Sequence, residues 1–233
     1  MTVLSAIQYA CSFIGVSVPD AVMASTVREH VELKAVANDV ANTISKAHTW
    51  QLLKTLATLT GDGTTEDFSL PSDYDWMPDT SEIWSSDNDR PLCKVVDENV
   101  WLSHIEQGLD PVPGEWIIYG GQLHIRSAPG TGITCRYFYQ SNLYVDPAAG
   151  SNTNIFATDT DNFRLDERLL KLGIIYRWKQ AKGQPYAQEM DDYEVLKEKL
   201  IARDKGATIL VQGTARGTRG IRYAYPGNVP GGT

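Results

Sequence analysis

No two of the three cysteines, Cys11, Cys93 and Cys135, stand close in sequence, and none forms a CxxC pair. That excludes a zinc knuckle or a dithiol redox motif, and an odd count argues against a disulfide framework. Long apolar runs are also lacking. Nothing approaches the ~20 residues a membrane-spanning helix needs. The apolar start MTVLSAIQYACSFIG has no Lys/Arg region before it and repeats at helical spacing, so it reads as a globular helix and not a signal peptide. Basic charge is short as well: 21 Lys and Arg stand against 29 Asp and Glu, for a formal net charge of −8. A protein that grips nucleic acid needs a phosphate-neutralising face, which this balance does not favour.

Catalytic signatures are missing. The four histidines, His30, His48, His104 and His124, show neither HxxxH nor HExxH spacing, although His104 and His124 flank one hairpin and could meet. There is no GxSxG elbow. Gly61-Asp62-Gly63 and Gly213-Thr214-Ala215-Arg216-Gly217 lack the Lys and Ser/Thr that complete a phosphate loop. Asp87-Asn88-Asp89 lacks the glycine and glutamate of a calcium loop. The densest carboxylates are Asp159, Asp161, Asp166 and Glu167. They could hold a cation or act as acid and base, but Asp161 and Asp166 stand where a helix begins, and capping is the simpler role. The sequence thus implies no enzyme, no cofactor and no metal.

What is present is a 42% hydrophobic chain, enough for a substantial core. Val3, Ile7, Ala10 and Ile14 step at helical spacing, and Gly15 follows as a stop. A longer helix is expected from about Thr26 to about Leu53, with Val27, Val31, Val36, Val40, Ile44 and Ala47 as its stripe. Between about 55 and 157, Gly, Pro, Asp and Thr punctuate short apolar stretches. Glu115–Tyr119, Gly120-Gly121 and Gln122–Arg126 predict a β-hairpin, Ile133–Tyr139 another strand, and Asp97 to Gln107 one short helix. Helices return from about Asp166 to Lys182 and from about Tyr186 to Lys205, the last acidic early and basic late, as the helix dipole prefers. Trp50, Trp101, Trp116 and Trp178 fall within apolar patterns and read as core. Trp76 and Trp84 fall in loop-like sequence, where exposure would permit stacking on a sugar or base.

The expected fold is therefore mainly α: a helical bundle with an inserted small antiparallel β domain and an extended C-terminal arm. Its parts are 1–56 with 158–205 (bundle), 57–157 (β domain) and 206–233 (arm). The arm is glycine-rich, has few core-forming residues after Val211, and carries Arg216, Arg219 and Arg222 with no acid. Its +3 leaves −11 on the rest of the chain. Tyr223 and Tyr225 follow the arginines. Nucleic-acid contact, docking on an acidic protein surface and a tail without a role are all open readings.

At Asp159 a resemblance begins. Asp159-Thr160-Asp161, Leu165-Asp166-Glu167, Leu169-Leu170, Leu172-Gly173, Arg177-Trp178-Lys179, Ala181-Lys182-Gly183, Tyr186-Ala187 and Asp192-Tyr193-Glu194 resemble the C-terminal helical pair of the tailed-bacteriophage head-to-tail connector (adaptor) family. Val27-Arg28, Ala35–Ala41 and Trp50-Gln51-Leu52-Leu53 are similar to that family's long helix. Leu70–Tyr74, Pro91-Leu92, Trp101 and Gly120–Leu123 fall where it places its β insertion. The resemblance covers roughly residues 2 to 205.

It implies a structural virion subunit at the neck, assembled in the host cytoplasm without a membrane. Such a subunit forms a homo-oligomeric ring, usually twelvefold, beneath the portal protein, and meets a downstream tail or nozzle protein. DNA passes through its channel without specific binding, which an acidic body suits. It further implies that the arm, with Arg216, Arg219, Arg222, Tyr223 and Tyr225, reaches along the portal. The rival expectation is a sugar- or peptide-binding module built on the β insertion with Trp76 and Trp84.

Overall fold

A computed structural model describes residues 2–108 and 114–204. The arm, with Arg216, Arg219, Arg222, Tyr223 and Tyr225, lies outside the described residues.

Helix α1 (Val3–Ile14) opens on Thr2, whose hydroxyl accepts the Ser5 N–H, and closes on Gly15 at φ 73°, a left-handed cap that glycine adopts without strain. Helix α2 (Arg28–Lys46) ends several residues before the expected Leu53. The reason is local. The Trp50 indole N–H folds back to donate to the Ile44 carbonyl at 2.7 Å, satisfying a helix-end acceptor, and Gln51–Leu53 form a separate 3-10 turn. The buried stripe of α2 is Leu33, Ala37, Val40, Ala41 and Ile44, while Val27 and Val31 are exposed.

Strands β1 (Lys54–Thr60), β2 (Asp67–Ser69), β3 (Tyr74–Trp76), β4 (Trp84–Ser85) and β5 (Cys93–Lys94) lead to helix α3 (Glu98–Glu106). The hairpin β6 (Glu115–Tyr119) and β7 (Gln122–Arg126) turns on Gly120-Gly121 with Tyr119 opposite Gln122, the register expected. Then come β8 (Thr134–Ser141), β9 (Val145–Asp146), β10 (Asn162–Phe163), α4 (Glu167–Ala181) and α5 (Ala187–Asp204).

The mainly α expectation is corrected. The described residues hold five helices and three sheets, with 38% helix and 21% strand, a mixed and β-rich α/β architecture. Several strands span only two or three residues, too short to show the alternation by which a strand is read from sequence. The expectation of a wholly antiparallel sheet is corrected too: β5 pairs with β6 in parallel, and α3 is the crossover between them. The sheet orders are β1-β8-β3 with β4 also on β8, β2-β7-β6-β5, and β10-β9.

Two compact units divide the described chain. The first takes in residues 2–59, 69–82 and 136–204. Helix α4 is its hub, packing on α1, α2 and α5. Gly173 makes this possible: a Cβ there would stand 2.4 Å from Val40 Cγ1 and 3.3 Å from Tyr193 Cε2. Leu169, Leu170, Ile174 and Trp178 of α4 share the core with Ile7, Leu33, Ile44, Phe156 and Tyr193. In the same unit Tyr74, Tyr139 and Tyr137 form a ring ladder, and the Tyr139 hydroxyl donates to Asp73 at 2.6 Å.

The second unit, residues 60–68 and 83–135 as described, is built on the β6–β7 hairpin. Trp116 and Trp101 are buried there. Gly61 lies so close to the Pro129 carbonyl that a Cβ would reach it at 2.2 Å, and the Gly61 and Gly132 amides knit the two loops together.

Candidate assembly surfaces

The carboxylates that the sequence offers as chemistry are spent on backbone. Asp166 accepts the Leu169 N–H at 2.8 Å and caps α4. Asp159 Oδ1 accepts the Val22 and Met23 amides at 2.9 and 3.0 Å, pinning the loop after α1. Asp161 caps no helix. It accepts the Ala157 and Thr158 amides at 2.7 and 2.9 Å and the Thr158 hydroxyl, closing a turn ahead of β10. Burial pushes the Asp161 pKa up, but these three donors outweigh it and hold the carboxyl below its ordinary value. Glu167 pairs with Lys171 one turn along α4. Backbone amides thus engage Asp159, Asp161 and Asp166, and no group of three or more His, Cys, Asp or Glu among the described residues could hold a metal ion.

His104 and His124 take different partners. His104 Nδ1 meets Glu115 Oε2 at 2.9 Å, and Arg126 Nη1 donates to Glu115 Oε1 at 3.1 Å. The Arg126 guanidinium also lies over the Trp101 ring, 5.9 Å from its centroid. This buried group ties α3 to the β6–β7 hairpin. His124 Nδ1 lies 2.6 Å from Asp67 Oδ1, and its ring stacks on Tyr119 at 3.8 Å. Neither histidine faces a nucleophile. Trp76 and Trp84 are half-buried strand residues rather than exposed loop residues, so the stacking platform expected of them is not presented. Trp50, Trp101, Trp116 and Trp178 are core. No helix among the described residues is long and apolar enough to cross a membrane.

What the surface offers instead is apolar area. On α1, Tyr9 and Phe13 are exposed, Phe13 to 59%, with ring centroids 4.8 Å apart, and the Lys171 ammonium stands over the Tyr9 ring. On α3, Leu102 and Ile105 lie three residues apart on one exposed face beside buried Trp101. Leu52 and Leu56 are exposed at the start of β1. Such side chains offer apolar surface that a partner could cover. Sequence reading passed over all three patches, because an exposed Leu or Phe within a helical or strand pattern carries the same letter as a buried one.

The root of the arm is fixed. Asp204, at the end of α5, accepts the Gln51 N–H at 3.0 Å and lies 3.3 Å from His48 Nε2. The charged links around α4 and α5 add to this: Lys179 to Glu189 and Lys182 to Glu32. The helical pair thus ends in a set position.

Those features agree with a comparison against protein families, in which the description "SU10 adaptor protein" matches residues 1–223, a span that includes Arg216, Arg219 and Arg222. No curated protein matches the chain. The match runs over nearly the whole length, and the chain therefore belongs to the SU10 adaptor protein family, a family of phage head–tail adaptors.

Proposed function

We propose that this adaptor forms a closed ring between the portal and the tail and completes the channel through which DNA passes. The observation that carries the proposal is the family match over residues 1–223, which runs through the body into the arm. The apolar patches on α1 and α3 supply surface for neighbouring copies and for a downstream tail or nozzle protein. A twelvefold ring follows from the resemblance to connector proteins, and the net charge of −8 lets DNA slide past without being held.

In this reading residues 206–233 dock on the portal. Arg216, Arg219 and Arg222 pair with acidic groups in bidentate fashion, and Tyr223 and Tyr225 fill pockets. Ordering an arm costs roughly 1–2 kcal/mol per residue in backbone entropy, so only a complementary surface can offset it. Subunits then assemble on the portal instead of on one another beforehand.

The test is to mix the purified chain with its portal ring and image the particles, alongside a chain ending at Lys205. Rings on the portal with the full chain and bare portals with the shorter one support both the adaptor role and the arm's part in it. Bare portals in both samples overturn the proposal.

A further inference from the structure

Helix α2 carries Asn38, Asn42 and Lys46 four residues apart, hence on one face. That face borders a cleft of about 480 Å³ within the first unit. Asn38 shapes it: its Oδ1 accepts the Phe156 N–H at 2.8 Å and holds the loop with Asn154 against the helix. Asp39 of α2, Asp75 of β3, and Asn142 and Tyr144 after β8 also line the cleft.

Tyr144 is only 4% exposed, and its hydroxyl has no hydrogen-bond partner among the described residues. Burial pushes the pKa of that hydroxyl up, and the charges of Asp39 and then Asp75 push it further. The phenol oxygen therefore lies in the field of both carboxylates. Those carboxylates have unused capacity. Lys46 stands 3.7 Å from Asp75 and Arg177 4.0 Å from Asp39, too far for a hydrogen bond. Neither carboxylate accepts a hydrogen bond from a described residue, and the side-chain amides of Asn42, Asn142 and Asn154 make none.

Two carboxylates with open lone pairs select a cation. Amide and phenol oxygens around them select one that donates in several directions. An ammonium is a compact point charge, whereas a guanidinium presents five N–H donors in a planar fork. The net charge of −11 outside the arm draws a basic partner towards the body as a whole.

We propose that this cleft receives an arginine side chain of a partner protein, paired with Asp39 and Asp75 and hydrogen-bonded to the Tyr144 oxygen and the neighbouring amides. The proposal goes beyond the portal-docking reading and does not rest on it, because every residue it uses lies in the first unit and none in the arm.

NMR titration of the full-length chain with N-acetyl-arginine amide tests it, with the citrulline analogue as an uncharged isostere. The arginine probe is expected to shift the side-chain amide signals of Asn42, Asn142 and Asn154 saturably, with a dissociation constant of about 1–10 mM for so small a ligand. Citrulline should leave them in place. Asp75→Asn and Tyr144→Phe should each weaken binding by about threefold or more, with the remaining amide spectrum unchanged. No saturable shift up to roughly 50 mM probe overturns the proposal. So does an equal response to citrulline, which would make the cleft a reader of neutral amides, and so does binding that both variants leave untouched. Tighter probe binding by a chain ending at Lys205 overturns it as well, since the chain's own arginines would then be the occupant.

Discussion

Gly173 sits in the middle of a helix, where glycine is usually a loss of about 1 kcal/mol relative to alanine. Here the cost is accepted because Val40 and Tyr193 occupy the space a side chain would need. Gly173→Ala is expected to destabilise the protein by about 1–3 kcal/mol despite its better helix propensity. Chemical denaturation would measure this, and adding Val40→Ala should recover part of the loss by emptying the 2.4 Å clash. Asp161 makes a pH prediction. Its folded pKa lies below the ordinary 3.8 because amide and hydroxyl donors outweigh burial. The stability it contributes is present above the unfolded pKa and is lost as pH falls through the folded one. Wild-type stability should fall more steeply than that of Asp161→Asn as pH drops below 3.8, as read by urea midpoints across that range. Two buried tyrosines need no such role: burial, with the neighbouring Tyr74 adding to it, pushes Tyr137 up to about 12, and burial dominates the upward shift of Tyr139.

Elements differ in how much of them the letters disclose. α1, α4, α5 and the β6–β7 hairpin follow from periodicity and from glycine placement, and they form where expected. α2 does not, because its end depends on the Trp50 indole folding back to Ile44, a side-chain contact that no spacing rule encodes. The parallel β5–α3–β6 unit was hidden for a related reason: a two-residue strand has no period. Its sheet contains one buried ion pair, Arg126 with Glu115. Glu115→Ala would remove the carboxylate that both Arg126 and His104 meet, and is expected to lower the urea midpoint of the protein. Hydrogen exchange should show the hairpin and α3 opening together in that variant. Arg126→Met, which leaves a carboxylate with His104 still beside it, should be milder. Among the candidate site residues, the carboxylates were legible as caps in the case of Asp166 and misplaced in the case of Asp161. The arm residues Arg216, Arg219, Arg222, Tyr223 and Tyr225 fall beyond the described chain.

For the whole molecule, the function was legible in the order of many weak words rather than in any motif. Those words are spread over distant residues, as the family match over residues 1–223 is. A prediction at this scale concerns the α1 patch. Phe13→Asp should leave the fold untouched, since that side chain is 59% exposed, yet reduce the number of copies on the portal in images of mixed particles. A change in thermal stability of the free subunit would point instead to an internal role for Phe13.

The grip of Asp204 on Gln51 and His48 also has a mechanical meaning. If the arm docks as proposed, tension along it reaches the described body next to this carboxylate. The turn between α2 and β1 therefore shares the load before α5 can be peeled from its C-terminal end. A loosened Asp204, as in Asp204→Ala, would make that helix the first part to yield.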